Sequence, residues 1–493
     1  MSIFSFVETL SDFLWEFPIV GNVSFAIVLL MGAGIYFSIK LGFVQVTLFK
    51  KGLDIMTENK ETDEGISPMT SFLLSAAMRL GPGNIIGVTG AIAVGGPGAL
   101  FWMWVSAFFG MALAYMEATL AQIFKEKKGN EFVGGLAFYG RKLLGNRVWI
   151  GVLLSALYIL YACFSLPAYG FNVVSSIGEM AAIITGEPIE KGSVFYYVTG
   201  AVLIGGTALI AFGGIRKITE WTDRLVPIVA VLYMGITIGI ILLHFDRIPY
   251  FFSEVIRGAF VPDAIFGGVF GVAVAQGVKR GLMTHEAGQG TITMSAASAS
   301  AAHPCEQGIL ASIGVFFDTI VVCTLTGFVL VIARCWEGES GAGWLALDKL
   351  PMFLEAVDTL IPGKALSTLI IWSMIFCFGL FTYACLLGMI SFSEIAANRI
   401  STGRRFIQGI RGLTLVVAAF GVWCNLKGLT LGNLWAFSDL GNILLVFFNV
   451  PIVFIGAKYV YRATTHYKKA DGTPFNSKVI GREDCDYWDE KIL

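Results

Sequence analysis

The chain has 493 residues, of which 56 % are hydrophobic and 14 % charged, and its formal net charge is −1. Together with a mean hydropathy of +0.74, this composition excludes an ordinary soluble globular protein and indicates an integral membrane protein. The apolar runs are continuous rather than alternating, which favours membrane helices over the strands of a closed barrel.

Runs of about 20 apolar residues are each long enough to cross a bilayer as an α-helix. Eleven such runs predict an all-α integral membrane protein in one polytopic domain. In chain order they cover residues 20–42, 67–93, 98–124, 148–178, 194–213, 220–243, 263–301, 307–334, 365–396, 406–425 and 431–461.

Lysine and arginine collect in every second loop, which predicts that those loops stay in the cytoplasm. The basic loops include Lys50, Lys51, Lys125, Lys127, Arg216, Lys217, Arg404 and Arg405. We therefore predict a multi-pass protein of a bacterial or archaeal cytoplasmic membrane, with its N-terminus outside and its C-terminus inside. Residues 464–493 are predicted to be a polar, solvated cytoplasmic tail.

The second predicted span is interrupted by the stretch GPGNIIG at residues 81–87. Pro82 removes a backbone donor, and Gly81 and Gly83 tolerate irregular backbone angles, so we predict that the helix breaks near 81–84. Backbone groups freed in mid-membrane must face an enclosed cavity or a ligand, because lipid cannot hydrogen-bond to them. A simple proline kink is the alternative.

A similar pattern recurs in the seventh span, where Gly277 and Gly281 flank Lys279 and Arg280, and it predicts a second break near 277–281. If residues 1–62 supply one extra helix and its loop, five spans lie in 63–245 and five in 246–463. Because five is odd, the two opening helices run in opposite directions. Paired broken helices of opposite direction predict an inverted-repeat transporter with its site at the midplane.

The free ends of a broken helix determine what such a site binds. A half-helix that begins at Gly83 or Asn84 offers free N–H groups to a carboxylate. Carbonyl groups freed at Gly81 or near Gly277 suit an ammonium group or a cation. A small amino acid satisfies both ends. For Asn84 the alternative role is a helix cap.

Three parts of the chain resemble the alanine/glycine:cation symporter family: GPGNIIGVTGAIAVGGPGALFWMW (81–104), RGLMTHEAGQG with HPCEQG (280–308), and NLWAFSDLGN (433–442). The resemblance implies a leucine-transporter-type fold of five plus five inverted helices with one extra N-terminal helix. It also implies sodium-driven uptake of alanine or glycine, without a cofactor or enzymatic activity. The candidate substrate-binding residues are Gly81, Pro82, Gly83, Asn84, Tyr169, Gly170, Phe270, Gln276 and Gly277.

The chain departs from this family at several positions. The family reads Gly-Thr-Gly-Asn where Pro82 stands, and Ser-Asn where Thr284 and His285 stand. It brings Ser/Thr hydroxyls to the sodium site where this chain has Ala384 and Cys385. The candidate cation-binding residues are Gly81, Asn84, Thr382, Ala384 and Cys385.

Charged residues deep in the spans need partners. We predict that Arg79, Lys279 and Arg280 pair with Glu286, and that Asp439 joins them, as a gate or as a permanent structural pair. Glu117 is interpreted as a buried, hydrogen-bonded carboxyl group. The expected partners are an amino acid, a coupling cation and membrane lipid, and no nucleic acid. Alternatives are a proton-coupled symporter or exchanger, for which His285 is the titratable candidate, and an uncoupled channel or sensor.

Overall fold

The computed structural model describes residues 3–20, 23–57, 65–129, 131–260, 269–333, 347–429, 431–469 and 473–490. The helices are α1 (Ile3–Glu16), α2 (Phe25–Lys40), α3 (Val44–Thr47), α4 (Phe49–Thr57), α5 (Pro68–Arg79), α6 (Val88–Gly95), α7 (Gly98–Ile123), α8 (Leu136–Leu143), α9 (Val148–Thr185), α10 (Val194–Ala211), α11 (Gly214–Leu243), α12 (Ile248–Phe260), α13 (Val269–His285), α14 (Thr293–Ser298), α15 (Pro304–Val315), α16 (Thr324–Ile332), α17 (Lys349–Leu360), α18 (Lys364–Ala397), α19 (Arg404–Leu426), α20 (Leu431–Lys469), α21 (Ser477–Ile480) and α22 (Asp486–Glu490).

Shorter elements complete the chain. A π-helical turn at Gly83–Gly87 leads into α6, a second at Phe316–Cys323 joins α15 to α16, and a 3-10 turn at Phe245–Arg247 leads into α12. Two antiparallel strand pairs lie outside the long helices: β1 (Pro18–Val20) with β2 (Val23–Ser24), and β3 (Glu126–Lys128) with β4 (Glu131–Val133).

Eight helical stretches in the described part of the chain are long and apolar enough to span a membrane. They are α7, α9, α10, α11, the continuous run α15 to α16, α18, α19 and α20, and each coincides with a predicted span. The protein is therefore a multi-pass membrane protein. Two shorter apolar stretches, Phe25–Lys40 and Gly83–Gly95, fall in the first two predicted spans, and the count of eleven crossings stays a prediction.

The most buried long helices lie at the centre of the bundle. The apolar windows of α7, of the run α15 to α16 and of α20 are each 67 % buried, whereas those of α10 and α11 are only 28 % buried. Because apolar side chains on a membrane protein's perimeter can face lipid, α10 and α11 lie on the outside. Helices α1, α12 and α17, which are too short to span a bilayer, were not predicted from the sequence.

The chain leaves helical geometry at the first interruption. α5 begins with Ser67 capping it and Pro68 in its first turn, and it ends at Arg79. Leu80 has a ψ of 81°, and helical structure resumes at Gly83. Pro82 provides the physical cause, since it cannot donate the hydrogen bond that would continue α5.

The second break is not near 277–281, as the sequence analysis predicted, but between α13 and α14. Residues 269–285 form unbroken helix, and the chain turns at Glu286, Gly288 and Gly290, whose φ angles are 57°, 91° and 76°. Gly277 instead allows α13 to approach α7, because a Cβ there would lie 2.6 Å from the Cβ of Trp102. Glycine in a membrane helix thus marks close packing as readily as a break.

The C-terminal segment is not a solvated tail, as predicted, but is folded against the end of the bundle. Phe475, Ile480, Cys485 and Trp488 are all at most 2 % exposed. The indole N–H of Trp488 donates to the Gln122 carbonyl over 2.8 Å. These four side chains are apolar, so their burial offsets the entropy lost when the segment is ordered.

We expect Trp488→Ala to lower the free energy of unfolding by about 3 kcal/mol, the usual loss for a fully buried aromatic side chain. Thermal unfolding of the detergent-solubilised protein, followed by intrinsic fluorescence, measures the effect. Trp149→Ala is the matched control, because Trp149 is 59 % exposed. Equal melting temperatures for the two variants would mean that the tail contributes nothing to stability.

Candidate functional site

A cavity of about 330 Å³ lies beside the break that follows α5. Its wall runs from the exposed Glu8 and Asp12 on α1 to the buried Arg79 and Glu286. The cavity is also lined by Ser11, Gly81, Pro82, Gly83, Tyr169, Lys279, Arg280, Lys349, Cys385, Trp435, Asp439 and Asn442. The volume far exceeds the roughly 15 Å³ that one water molecule needs, so the cavity admits a small organic solute.

The irregular backbone at Gly81 is held by Asn84. The Asn84 side-chain oxygen accepts a hydrogen bond from the Gly81 N–H over 3.0 Å. The side-chain nitrogen donates to the Asp318 carboxylate over 2.6 Å. Asn84 does not line the cavity, so in this conformation it caps the broken backbone and links it to Asp318, rather than reaching the cavity itself.

Asp318 lies in the π-helical turn between α15 and α16 and is 1 % exposed. Its second carboxylate oxygen accepts from the Thr319 hydroxyl over 2.7 Å. A carboxyl group this deep in a membrane span is costly and usually marks a functional site, and π-helical turns are frequent at such sites. Asp318 was not predicted from the sequence, although a lone acidic residue within the apolar run GVFFDTIVVC was a usable signal.

Cys385 lies where the family resemblance implies a hydroxyl beside the sodium ion. Its thiol donates to the Ala77 carbonyl over 3.1 Å and to the Met78 carbonyl over 3.5 Å. These carbonyls belong to the last turn of α5, where the break removes helical donors. Oxygen ligands of this kind suit a hard cation.

The other predicted cation-binding residues are less favourably placed. The Thr382 hydroxyl donates to the Phe378 carbonyl within α18, over 2.7 Å, and Ala384 is buried among apolar side chains. Of the five candidates, only Gly81 and Cys385 line the cavity. Ala384 points about 100° away from Cys385 because it is one residue earlier on the helix. Thr382 lies on the same side of α18 as Cys385, but its hydroxyl is bonded within the helix.

Some of the predicted substrate-binding residues line the cavity, and others face neighbouring helices. Gly81, Pro82, Gly83 and Tyr169 line the cavity. Gly170 faces α19, where a Cβ would lie 3.3 Å from the Ala418 carbonyl carbon. Gln276 lies against Gly95 and Gly277 against α7, both away from the cavity. The side chain of Phe270 lies outside the described residues.

The predicted ion pairs with Glu286 do not form. Glu286 accepts from the Thr291 hydroxyl over 2.7 Å, within its own loop, and Lys279 approaches Asp12 at 3.9 Å. Arg79 is 2 % exposed, and its guanidinium nitrogens have no hydrogen-bond partner in the described structure. Asp439 and Arg280 share the cavity wall without any described ion pair between them. The loop between α13 and α14 explains why these ion pairs are absent, because it directs the Glu286 carboxylate to Thr291 instead of to Arg79, Lys279 and Arg280.

Glu117, on the neighbouring helix α7, stabilises the second break. Its two carboxylate oxygens accept from the backbone N–H groups of Gly288 and, over 3.2 Å, of Gly290. The Asn449 side chain donates to the Gly288 carbonyl over 3.0 Å and also accepts from the Tyr139 hydroxyl. The interpretation of Glu117 as a buried, hydrogen-bonded carboxyl group therefore matches its contacts.

A helical membrane protein with a cavity at a broken helix is typical of secondary transporters. Residues 2–479 match the Sodium:alanine symporter family. The chain belongs to this family, as its sequence motifs indicated, and it is therefore a transporter and not an enzyme.

Curated relatives cover nearly the whole chain. A putative sodium/proton-dependent alanine carrier protein of Bacillus subtilis, YrbD, is 32 % identical over 99 % of this chain and 98 % of its own. The sodium/alanine symporter AgcS of Methanococcus maripaludis is 32 % identical over 90 % and 95 %. The probable sodium/glutamine symporter GlnT of Bacillus subtilis is 32 % identical over 95 % and 92 %.

A solved structure shares the fold. The crystal structure of MhsT in complex with L-phenylalanine aligns with a TM-score of 0.58 at 15 % identity, over 82 % of this chain and 93 % of that one. The predicted fold class, an all-α leucine-transporter-type membrane protein, is confirmed. Family and fold together support a cation-coupled amino acid symporter.

Proposed function

We propose that the chain imports a small neutral amino acid, of the alanine or glycine class, together with sodium by alternating access. The observation that carries the proposal is the cavity at the unwound stretch Leu80–Pro82, which is lined by four basic and four acidic side chains. Such a balanced wall suits a zwitterion, and the helix start at Gly83 suits its carboxylate. The sodium/alanine symporter AgcS, at 32 % identity, adds support.

The coupling ion has candidate oxygen ligands next to the same break. The Asp318 carboxylate accepts a hydrogen bond from the Asn84 side chain, and the Ala77 and Met78 carbonyls accept from the Cys385 thiol. We propose that sodium binds in this region, because carboxylate and carbonyl oxygens are the ligands that hard cations prefer. From the distribution of basic loops we also propose that the α1 end of the cavity faces the outside of the cell and the folded tail the inside, an orientation that suits uptake.

Reconstituted protein tests the proposal. Proteoliposomes should accumulate labelled alanine and glycine when sodium is outside, and accumulation should disappear when potassium replaces sodium or when the sodium gradient is collapsed. An ionophore that abolishes only the proton gradient should leave uptake intact. Equal uptake in sodium and potassium would contradict sodium symport.

Proton coupling is the second candidate. YrbD is described as sodium/proton-dependent, and this chain buries the carboxyl groups of Glu117, Glu286 and Asp318 near the two breaks. Buried carboxyl groups are the usual carriers of protons in transporters. Uptake driven by an inward proton gradient without sodium would favour this candidate.

A further inference from the structure

A second cavity, of about 470 Å³, lies at the other end of α5 from the break. It is lined by Ile66 and Thr70 around the start of that helix, by Phe132 of β4 and by Ser298 of α14. Phe132 packs against Tyr487 of the tail, with ring centroids 4.7 Å apart, so this cavity lies at the tail end of the bundle. A solute released from the first cavity towards the tail would pass along α5.

The contact between the start of α5 and α14 closes this route. The Ile66 N–H donates to the Ser298 carbonyl over 3.2 Å. The Ser71 hydroxyl donates to the Ser295 carbonyl over 2.8 Å. These four residues join the two interrupted helices, and they form what we call the tail-side gate. The first cavity, by contrast, extends at its other end to exposed residues of α1.

Lys125, which follows α7, binds the gate from a third side. Its side chain is 0 % exposed, and its ammonium group donates to the Ala299 carbonyl over 2.7 Å. The same ammonium group lies 4.1 Å from the ring centroid of Phe132, 4.2 Å from that of Tyr487 and 5.3 Å from that of Trp488. Aromatic faces attract a cation, and the attraction is strongest where water is excluded.

The tail also supports a second donor to the gate. The Gln122 side chain donates to the same Ala299 carbonyl over 2.9 Å. The indole N–H of Trp488 donates to the Gln122 backbone carbonyl over 2.8 Å. The folded tail therefore contacts both residues that bind Ala299, and two of the three rings around the Lys125 ammonium group belong to the tail.

We infer that Lys125 is a positioning residue for transport: held by the rings of the folded tail, it keeps the tail-side gate closed while the first cavity is open towards α1. Opening of the gate would separate the Lys125 ammonium group from Ala299. This inference rests on the proposed function, because alternating access requires one end of the route to close while the other is open.

Weaker contacts of Lys125 should favour the conformation that is open at the tail. Substrate and sodium supplied on the α1 side bind only to molecules that are open to that side, so the KM for uptake rises as their fraction falls. A purely structural role of Lys125 would lower the maximal rate or the melting temperature and leave the KM unchanged.

Uptake kinetics in proteoliposomes are the first test. Lys125→Met keeps the length of the side chain but removes the ammonium group, and it should raise the KM for labelled alanine in sodium about fivefold. Lys125→Arg retains the charge and the N–H donors, so its KM should lie within about twofold of the wild-type value. Lys127→Met is the matched control, because Lys127 is exposed and lies two residues further along; it should leave the KM unchanged.

The second test requires no transport. Ser75 is 7 % exposed, shares a small gap with Ser71 and Ser295, and its hydroxyl has no hydrogen-bond partner in the described structure, so Ser75→Cys removes no contact. In the purified protein, a water-soluble maleimide should label the introduced thiol about fivefold faster when Lys125→Met is also present. Labelling of the same protein with Ser75 retained corrects for the native cysteines, and Lys127→Met should leave the rate unchanged.

Tyr487→Leu tests the contribution of the tail, and it replaces Lys125→Met if that variant does not fold. It removes the ring at 4.2 Å but keeps the position apolar, so the labelling rate and the KM should each rise about threefold.

Unchanged labelling in variants that melt like the wild type would overturn the inference. So would an unchanged KM in variants that transport alanine. If the wild type accumulates alanine with sodium and neither measurement responds, only the role of Lys125 is wrong. If labelling responds but no gradient drives alanine uptake even in the wild type, the gate is supported and the proposed function is wrong.

Discussion

Replacing Asp318 by asparagine is expected to reduce sodium-driven amino acid uptake by about 100-fold, because it removes the buried negative charge proposed to attract the cation. Asparagine keeps the size of the side chain and one oxygen, so the contact with Asn84 at 2.6 Å can persist. The loss should therefore appear in the sodium dependence of uptake rather than in the melting temperature. Initial uptake rates over a range of sodium concentrations measure it.

Asp246→Asn provides the matched control, because its side chain is 77 % exposed and its ion pair is with the adjacent Arg247 at 3.4 Å. That variant should transport like the wild type. If Asp318→Asn also retained an unchanged sodium affinity, the proposed role of Asp318 in cation binding would be wrong. The carbonyls of Ala77 and Met78 would then be the remaining candidates.

Glu117→Ala is expected to destabilise the protein by about 3 kcal/mol, the upper end for leaving buried donors unsatisfied. The substitution would expose the backbone N–H groups of Gly288 and Gly290 to an apolar interior without acceptors. It would also leave a cavity on α7 at a position that is 0 % exposed. The thermal unfolding midpoint in detergent, with and without alanine and sodium, measures the loss.

Glu220→Ala on α11 removes the same side chain from a site that is 49 % exposed, and it should change the midpoint little. Glu117→Gln should give an intermediate loss, because its amide retains one acceptor oxygen for two N–H donors. A Glu117→Ala variant as stable as the Glu220→Ala variant would show that the second break does not depend on this carboxylate.

The first break was predictable because proline acts locally. Pro82 has no backbone N–H to donate in any structural context. The interruption after Arg79 can therefore be predicted from residues 81–83 alone. Gly277 and Gly281 were misleading because glycine permits a break without requiring one. Here the two glycines allow close packing of α13 against Trp102 and Ser106 of α7, and the helix continues past them.

The candidate site was predicted in part for the same reason. Gly81, Pro82 and Gly83 line the cavity as expected, since the break itself places them there. The partner of Asn84 was not predictable, because Asp318 is 234 positions away along the chain. Likewise, the loop after α13 directs Glu286 to Thr291, so the expected pairing with Arg79 fails.

The sequence by itself determined that this protein is a membrane helix bundle of the sodium:alanine symporter family, because hydropathy, proline placement and contiguous motifs are local properties. Only the tertiary structure decided which buried polar groups meet, where the second helix unwinds and that the tail folds against the bundle. These outcomes depend on hydrogen bonds and packing between distant segments, such as Glu117 with Gly288 and Trp488 with Gln122. In an interior without water an unpaired polar group is costly, and only the assembled fold determines which polar groups obtain partners.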